Sequence, residues 1–570
     1  MQRMRRDSRF DHRVGYIIYP STFKDSNDDG IGDIQGIISK LDYLAEIGFN
    51  LLWICPLFAS PMDDHGYDVS SYYDIDPRYG TNEDFKQLLE EAHKRDILIL
   101  IDFVLNHTSD EHPWFKKALA DPNCPERNYY FFRKGKRVGK KLLPPNNWKG
   151  FFATSAWEKV PGDNDDFYLH IFSKKMPDVN WENPELREQY YQIARHYLDM
   201  GVDGFRLDAL AHLEKDASFK DSPLPVDEDG SVLDTSVFSN RPKVFTYLNE
   251  FRDEVLSHYP CLTVGEVGGD PVPEDALKYA DYHDGPIHMV FNFATCWRNG
   301  AFCSLDKKDE DIYTDVISLK HQFLHWYEVC SGKCDMPVYW ENHDHPRVIN
   351  QYGSVQFRDR SAKALANTLL FLYGTPFIYN GDEIGMSNVN FSKPEDFYSD
   401  IGNYNEVQVY RKRGYSDEHI THYLNRVSRI SARTPMQWDD SPHAGFSSVP
   451  PPIEPNPNYL EGVNVAAQIW DPWSTVSFFK YAIAKRRDPV YAEIIEKGKF
   501  EILDMPHPDV FAYSHDGPRK IVVITNMRPF TVYFSFYSNF SDILVHNYGD
   551  VIFRDHIFEL RPFETYTLLI

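Results

Sequence analysis

The chain lacks an apolar run long enough to cross a membrane, because its longest hydrophobic stretches are interrupted by Lys, Asn, Gly or Pro. The basic N-terminal segment MQRMRRDSRF leads into no continuous apolar segment, so neither a secretion signal nor a membrane span is expected. An excess of positive charge is also missing. With 60 Lys and Arg against 85 Asp and Glu, the formal charge of −25 argues against binding nucleic acid or an anionic membrane, since both need a basic field. Cysteine is sparse: the seven, Cys55, Cys124, Cys261, Cys296, Cys303, Cys330 and Cys334, form an odd, scattered set, and several sit in apolar stretches where a small thiol packs. That usage points to a reducing, cytoplasmic setting. Cys330 and Cys334 have no second pair with which to build a zinc site. Repeats and low-complexity tracts are absent as well.

Present instead are strand-like apolar runs alternating with helix-like segments. The runs are VGYIIYP (14–20), LLWICPLF (51–58), ILILIDFVLN (97–106), DGFRLDAL (203–210), CLTVGEV (261–267), HMVFNF (288–293), MPVYWENHD (336–344) and TPFIYNGDEIG (375–385). Eight strands interleaved with helices predict an α/β protein built as a (β/α)8 TIM barrel. In the first helix Ile34, Ile37, Ile38, Leu41 and Leu44 keep helical spacing, and Asp33 stands where an N-cap belongs.

About a hundred residues separate strands three and four, far more than a βα loop needs, which predicts an inserted subdomain overhanging one barrel face. Its basic run from Arg133 to Lys141 reads as a solvated loop face before it reads as a phosphate site. From about residue 495 the pattern turns to short alternating strands, predicting an antiparallel β-sandwich domain. The expected organisation is barrel (1–106), inserted subdomain (107–174), barrel again (175–494) and β-domain (495–570).

Four of the strand-like runs end in acids or histidines: Asp102 to His107, Asp208, Glu266, and His343 with Asp344. Strand ends at one mouth of a parallel barrel bring such residues together. Arg206 and Asp208, two apart on one strand, share a face, and the guanidinium is expected to keep Asp208 ionised as a nucleophile. Glu266 arrives among like charges that favour its protonated form, which suits a general acid. Together they describe a retaining glycosidase. Asp102 and Asn106 read as structural braces for Arg206 and the nearby loop.

The loop Asp25-Ser26-Asn27-Asp28-Asp29-Gly30-Ile31-Gly32-Asp33 places oxygen ligands at alternate positions, with Gly at the sharp turn. Asp25, Asn27, Asp29, Ile31 and Asp33 thus suit a hard cation, calcium or magnesium, although Gly36 in the twelfth position cannot supply an EF-hand's final carboxylate. The alternative is an Asx-rich turn that caps the first helix.

In order and length these motifs resemble the α-amylase family, glycoside hydrolase family 13. The likeness runs from YIIYPSTFKDSNDDGIGD near residue 16 to ARTPMQWD at 432–439, and PPNNW, GTPFIY and DEIGM make it similar to the oligo-1,6-glucosidase and α-glucosidase branch. The resemblance implies that Asp344 steadies the transition state, and that His107 and His343 hydrogen-bond the same glucose. It implies that Asp64 and Arg433 close the far end of the glucose pocket, with Tyr67 stacking on the sugar and Phe172 forming a wall. It also implies that the Asp-rich loop holds a structural cation.

In that branch Ala or Thr at the position of Ala209 accompanies α-1,4 preference, and Val accompanies α-1,6 preference. The expected function is therefore an exo-acting α-glucosidase taking a small, maltose-type oligosaccharide. Met176 in MPDVN, His345 in ENHDHPR and Ser21 in YPSTF depart from the branch's usual residues. Rival readings are an oligo-1,6-glucosidase, a sugar isomerase or trehalose synthase, a trehalose-6-phosphate hydrolase, and a non-catalytic carbohydrate-binding or transporter-associated relative.

Overall fold

The computed structural model describes residues 7–570 except 153, 163–164, 270–271, 292–304 and 307–312. Asn292, Phe293, Cys296 and Cys303 lie outside the described residues.

Eight strands form one parallel sheet: β1 (Gly15–Ile18), β2 (Leu51–Ile54), β3 (Leu98–Val104), β4 (Gly204–Asp208), β5 (Leu262–Glu266), β6 (Met289–Phe291), β7 (Pro337–Val338) and β8 (Thr375–Tyr379). They run in the order β6-β5-β4-β3-β2-β1-β8-β7, and a parallel bridge from Met289 to Asp335 joins the two ends into a barrel. Nearly every strand position is buried, which is why the strands appear in the sequence as continuous apolar runs.

The surrounding helices carry their own start and stop signals. Asn82–His93 begins at a capping box between Thr81 and Asp84 and buries Phe85, Leu88, Leu89 and Ala92 along one stripe. Pro184–Met200 starts behind Asn183 and stops at Gly201, whose φ of 109° suits glycine. The first helix differs from expectation. It divides into Ile34–Ser39 and Leu41–Ile47 at Lys40, whose φ of −110° and ψ of 1° break the helical path, while Asp33 does cap it through the Gly36 N–H.

Between β4 and β5 the backbones approach closely. A Cβ on Gly204 would lie 1.8 Å from the Leu262 carbonyl oxygen, so only glycine lets these strands meet. That approach sets Arg206 beside Val264 in register and brings Asp208 and Glu266 to adjacent strand ends.

After β3 the chain forms helix Pro113–Ala120, a small antiparallel sheet (Phe132–Lys134, Asp166–Leu169, Trp157–Lys159) and the hairpin Lys136–Val138/Lys141–Leu143. Its apolar core joins Phe131, Trp148, Trp157 and Phe167 to Phe219 and Phe238, which come from the long segment after β4. In the basic run, Lys134 pairs with Asp166, Lys136 with Asp221 and Arg137 with Asp165, while Arg133 lies 4.3 Å over the Phe219 ring.

The C-terminal part holds a five-stranded sheet in the order Lys499–Leu503, Val510–Asp516, Lys520–Asn526, Thr565–Leu569, Asp542–His546, and a three-stranded sheet. Aromatic and branched side chains fill the space between the two sheets. The five-stranded sheet docks on barrel helices through Thr368–Thr525 and Asn367–Thr565 contacts, and Lys320 donates to the carbonyls of Asp504, His507 and Val510. No helix among the described residues is long and apolar enough to cross a membrane.

Candidate active site

At the C-terminal ends of the barrel strands lies a cavity of about 840 Å³. Asp64, Tyr67, His107, Phe172, Asp208, Ala209, Glu266 and Asp344 line it. Arg206, His343 and Arg433, expected to bind substrate, stand behind this wall and act on its carboxylates.

Arg206 is nearly inaccessible and organises three acids from three strands. Its Nη1 donates to Asp102 at 2.7 Å and to Asp208 at 2.6 Å, while Nη2 reaches Glu266. Trp53 and Tyr67 donate to the other Asp102 oxygen, so Asp102 braces the arginine as its place inside β3 suggested. Arg206 favours the ionised Asp208 as expected, but it is not the only influence on that carboxyl. Burial pushes the Asp208 carboxyl well above its ordinary range, Arg206 opposes this, and the charge of Glu266 adds to the rise. Two carboxyls, Asp208 and Glu266, thus share one guanidinium.

At the opposite side Asp344 is the anion. Burial disfavours its charge, but His343, Arg429 and Arg433 outweigh that and hold it well below the usual carboxylate range. His343 Nε2 lies 3.1 Å from Asp344 and 2.8 Å from the hydroxyl oxygen of Tyr67, whose proton goes to Asp102. Tyr67 and His343 also stack, with ring centroids 5.3 Å apart.

The partner of Asp64 is not the expected one. Arg433 donates to the His343 carbonyl and to Asp344, and it is Arg429 whose Nη2 meets Asp64 at 3.1 Å. Arg429 also reaches Asp344 and Asp400, both at 2.6 Å. Sequence reasoning missed Arg429 and Asp400. A signal for Arg429 existed, since it stands four residues before Arg433 in the same short segment RISAR.

His107 and Phe172 face each other at 5.2 Å, with Phe151 stacked on Phe172 at 5.3 Å. Burial, reinforced by Lys215, lowers His107 to about 3, so its imidazole is neutral at neutral pH. Lys215, also missed, is buried and pairs with Asp178 at 2.9 Å while donating to Asn106 Oδ1 at 2.7 Å. That bond orients the Asn106 amide, whose Nδ2 then donates to His107 Nδ1 at 3.3 Å, leaving Nε2–H as the ring's donor.

Ala209 has a left-handed backbone, φ 48° and ψ 27°, and 5% exposure, immediately after Asp208.

In the Asp-rich loop, Asp25 accepts from the N–H groups of Asn27, Asp28 and Gly30 and from the Ser447 hydroxyl. These four donors fill its lone-pair positions, so a cation there must displace at least one. Asn27 and Asp29 each accept the N–H two residues on, and Asp33 caps the helix and holds Ser26. Gly36 is glycine for a local reason: a Cβ would stand 1.9 Å from the Lys24 carbonyl oxygen. Among the described residues no three acids, histidines or cysteines gather as a metal cluster.

Comparison with known proteins agrees with this geometry. The sequence profile of the alpha-amylase catalytic domain matches residues 17–498. The chain is 40% identical over 569 residues to an oligo-1,6-glucosidase of Parageobacillus thermoglucosidasius, covering 97% of each, and 39% identical over 506 residues to an alpha-glucosidase of Pediococcus pentosaceus, covering 88% of each. Its structure is similar to that of Bacillus licheniformis trehalose-6-phosphate hydrolase, with a TM-score of 0.88 and 33% identity over 98% of this chain and 99% of that one. With its closed parallel barrel, its three acids at one mouth and a profile match across most of its length, the chain belongs to the α-amylase family of glycoside hydrolases.

Proposed function

We propose that the protein is a retaining, exo-acting α-glucosidase that removes terminal non-reducing glucose from short α-linked oligosaccharides, with maltose-type α-1,4 bonds preferred. The observation that carries this reading is the one guanidinium, Arg206, touching both Asp208 and Glu266 at the floor of the cavity. In the proposed cycle an Asp208 carboxylate oxygen attacks the anomeric carbon while Glu266 gives its proton to the departing glycosidic oxygen. Glu266, now a carboxylate, takes a proton from water, and that water displaces Asp208 from the glucosyl ester. Arg206 serves both half-reactions because it neutralises whichever carboxyl is charged.

Asp344, kept anionic by His343, Arg429 and Arg433, supports the positive charge that develops on the ring. Asp64 and Arg429 seal the end of the cavity against a longer chain, which supports cleavage from the non-reducing end. His107 offers its Nε2–H to the same sugar. Ala209 leaves room beside the acceptor, and this favours the α-1,4 linkage over the more flexible α-1,6 one. Lys134, Lys136 and Arg137 of the basic hairpin are already paired with acids, which weighs against their holding a sugar phosphate.

The oxygen-rich loop from Asp25 to Asp33, including the Ile31 carbonyl, would take a hard cation such as calcium or magnesium in a structural role by giving up one of the bonds that Asp25 accepts. The described cysteines are all free thiols, in keeping with a cytoplasmic setting.

Incubation with maltose, isomaltose, sucrose and trehalose in turn, with the products resolved, tests the reading. Glucose released fastest from maltose supports it. A new disaccharide as main product makes the enzyme an isomerase, and faster release from isomaltose makes it an oligo-1,6-glucosidase.

A further inference from the structure

Trp470 and Trp473 are 83% and 71% exposed, although indoles are among the side chains that gain most from burial. Neither lines the catalytic cavity. They flank a tight turn between Gln468 and Ser474. The Asp471 N–H donates to the Gln468 carbonyl, the Ser474 N–H donates to the Asp471 carbonyl, and Asp471 Oδ1 accepts the Trp473 N–H at 2.9 Å. The Ser477 hydroxyl donates to the Asp471 carbonyl at 2.7 Å, which ties the turn to the start of helix Thr475–Arg487. A fixed backbone therefore holds both indoles outward, as rigid aromatic anchors of the kind that dominate protein interfaces.

The exposed strip continues along that helix. Tyr481, one turn past Ser477, is 51% exposed, Ala484 is exposed as well, and Lys485 Nζ lies 5.4 Å over the Tyr481 ring and 5.8 Å over the Tyr491 ring. At up to about 250 Å² for a whole aromatic side chain, Trp470, Trp473 and Tyr481 leave about 500 Å² of surface in water. That is near the top of what a monomer shows in one apolar patch, and it is most of the roughly 800 Å² that each partner gives to a stable interface.

Charge decides which partner fits. The chain carries −25, so two copies repel over most of their surface, yet helix Thr475–Arg487 holds four basic residues and no acid. Three of the four are engaged within the chain: Lys480 with Glu46 at 2.7 Å, Arg486 with the Leu372 and Gly374 carbonyls, and Arg487 with the Gly48 carbonyl. Lys485 makes no ion pair among the described residues, and at the other end of the strip stands an exposed acid, Asp471. The strip is thus complementary to itself. Two copies laid antiparallel, about a two-fold axis midway between Asp471 and Lys485, bring the acid of each beside the lysine of the other and set each Trp473 over an exposed Ala484.

We propose that this strip, from Trp470 to Lys485, is the contact surface of a homodimer. The contact is independent of which sugar the cavity takes.

Sedimentation equilibrium over a range of concentrations tests it. Wild type should approach twice the 66.5 kDa of one chain. The double variant Trp470→Ser/Trp473→Ser should weaken the dimer at least about 100-fold, as removal of central tryptophans does, with turnover per chain unchanged. Asp471→Lys and Lys485→Glu should each be monomeric, because each sets like charges together, and an equimolar mixture of the two should regain the mass of two chains, since every contact then joins a lysine to an acid. Wild type that stays a single chain at every concentration overturns the proposal. So does a dimer that survives loss of both tryptophans, or a mixture of the two folded charge variants that stays monomeric. Quenching of indole fluorescence by maltoheptaose in a monomeric wild type, and not in the tryptophan double variant, gives the strip to a sugar chain and overturns the dimer.

Discussion

Arg429 Nη2 stands 3.1 Å from Asp64 Oδ1, and Nη1 of the same guanidinium stands 2.6 Å from Asp344 Oδ1. One side chain therefore sets both the end wall of the cavity and the orientation of an acid inside it. Lysine cannot hold three carboxylates, counting Asp400, in one plane. Arg429→Lys is expected to lower kcat/KM on the preferred disaccharide by about 10–100-fold, mostly through KM, because a charge-assisted bond to the bound sugar's wall is lost. Steady-state kinetics within threefold of wild type contradict this.

Asp208→Asn and Glu266→Gln each delete one half of a double displacement. Each should reduce kcat on the order of 10³-fold or more with the melting temperature nearly kept. Turnover of Asp208→Asn within tenfold of wild type ends the assignment.

Ala209 carries a complication that linkage preference alone does not foresee. Its left-handed backbone is unfavourable for a β-branched side chain, so Ala209→Val should cost about 1–2 kcal/mol of stability from strain. The informative readout is thus the ratio of maltose to isomaltose kcat/KM, which is insensitive to the amount of folded protein. That ratio should fall by about 10-fold or more, as one or two methyls do in a tight pocket. An unchanged ratio with a lowered melting temperature assigns Ala209 to backbone conformation only.

Chelation tests the Asp-rich loop. A cation bound only to the folded state stabilises it by mass action, so excess chelator should lower the melting temperature and leave turnover at moderate temperature largely intact. Asp25→Ala should abolish the chelator's effect. No change in melting on chelation contradicts the site, and immediate loss of turnover with the fold kept makes the metal catalytic.

A pH effect on stability is expected away from the active site. Behind β7 and β8, Glu341 and Asp382 share a fully buried pocket with Arg347, one cation for two acids. Burial pushes Glu341 up to about 7 from an ordinary 4.5, with Arg347 opposing. Because the folded-state value is the higher one, this stability is fully present below about pH 4.5 and is lost as pH rises through about 7. The urea midpoint of wild type should therefore fall between pH 5 and pH 8, and Glu341→Gln should show a smaller fall. Equal slopes in the two proteins would show that another group titrates.

Much of the barrel was legible because its strands are buried on both faces, so each appears as an apolar run ending in a polar residue. Alternation within β4 placed Arg206 and Asp208 together without reference to any other chain. The legible part ends where contacts are long-range. Arg429 meets Asp64 across 365 residues of sequence, and no local pattern states that pairing. The helix Ile401–Lys412 was not anticipated, since its inward face carries Asn, Glu, Tyr and Arg in place of an apolar stripe. In the C-terminal part the strand Asp542–His546 is short and only partly apolar, which hides it in the sequence, and VIFRDHIFEL holds two short strands folded at Asp555 and His556, both with positive φ.

Phe219 and Phe238 leave the chain after β4 and yet complete the core that Trp148 and Trp157 begin before it. The overhanging subdomain is thus not a portable module. Grafted alone onto another barrel, residues 107–174 would expose the part of their interior that Phe219 and Phe238 cover, and the graft would need the stretch around 216–240 as well. Two excursions that share one interior are also constrained to change together, so a lengthened or shortened segment after β4 reshapes the roof of the cavity even where no residue of the roof itself is altered.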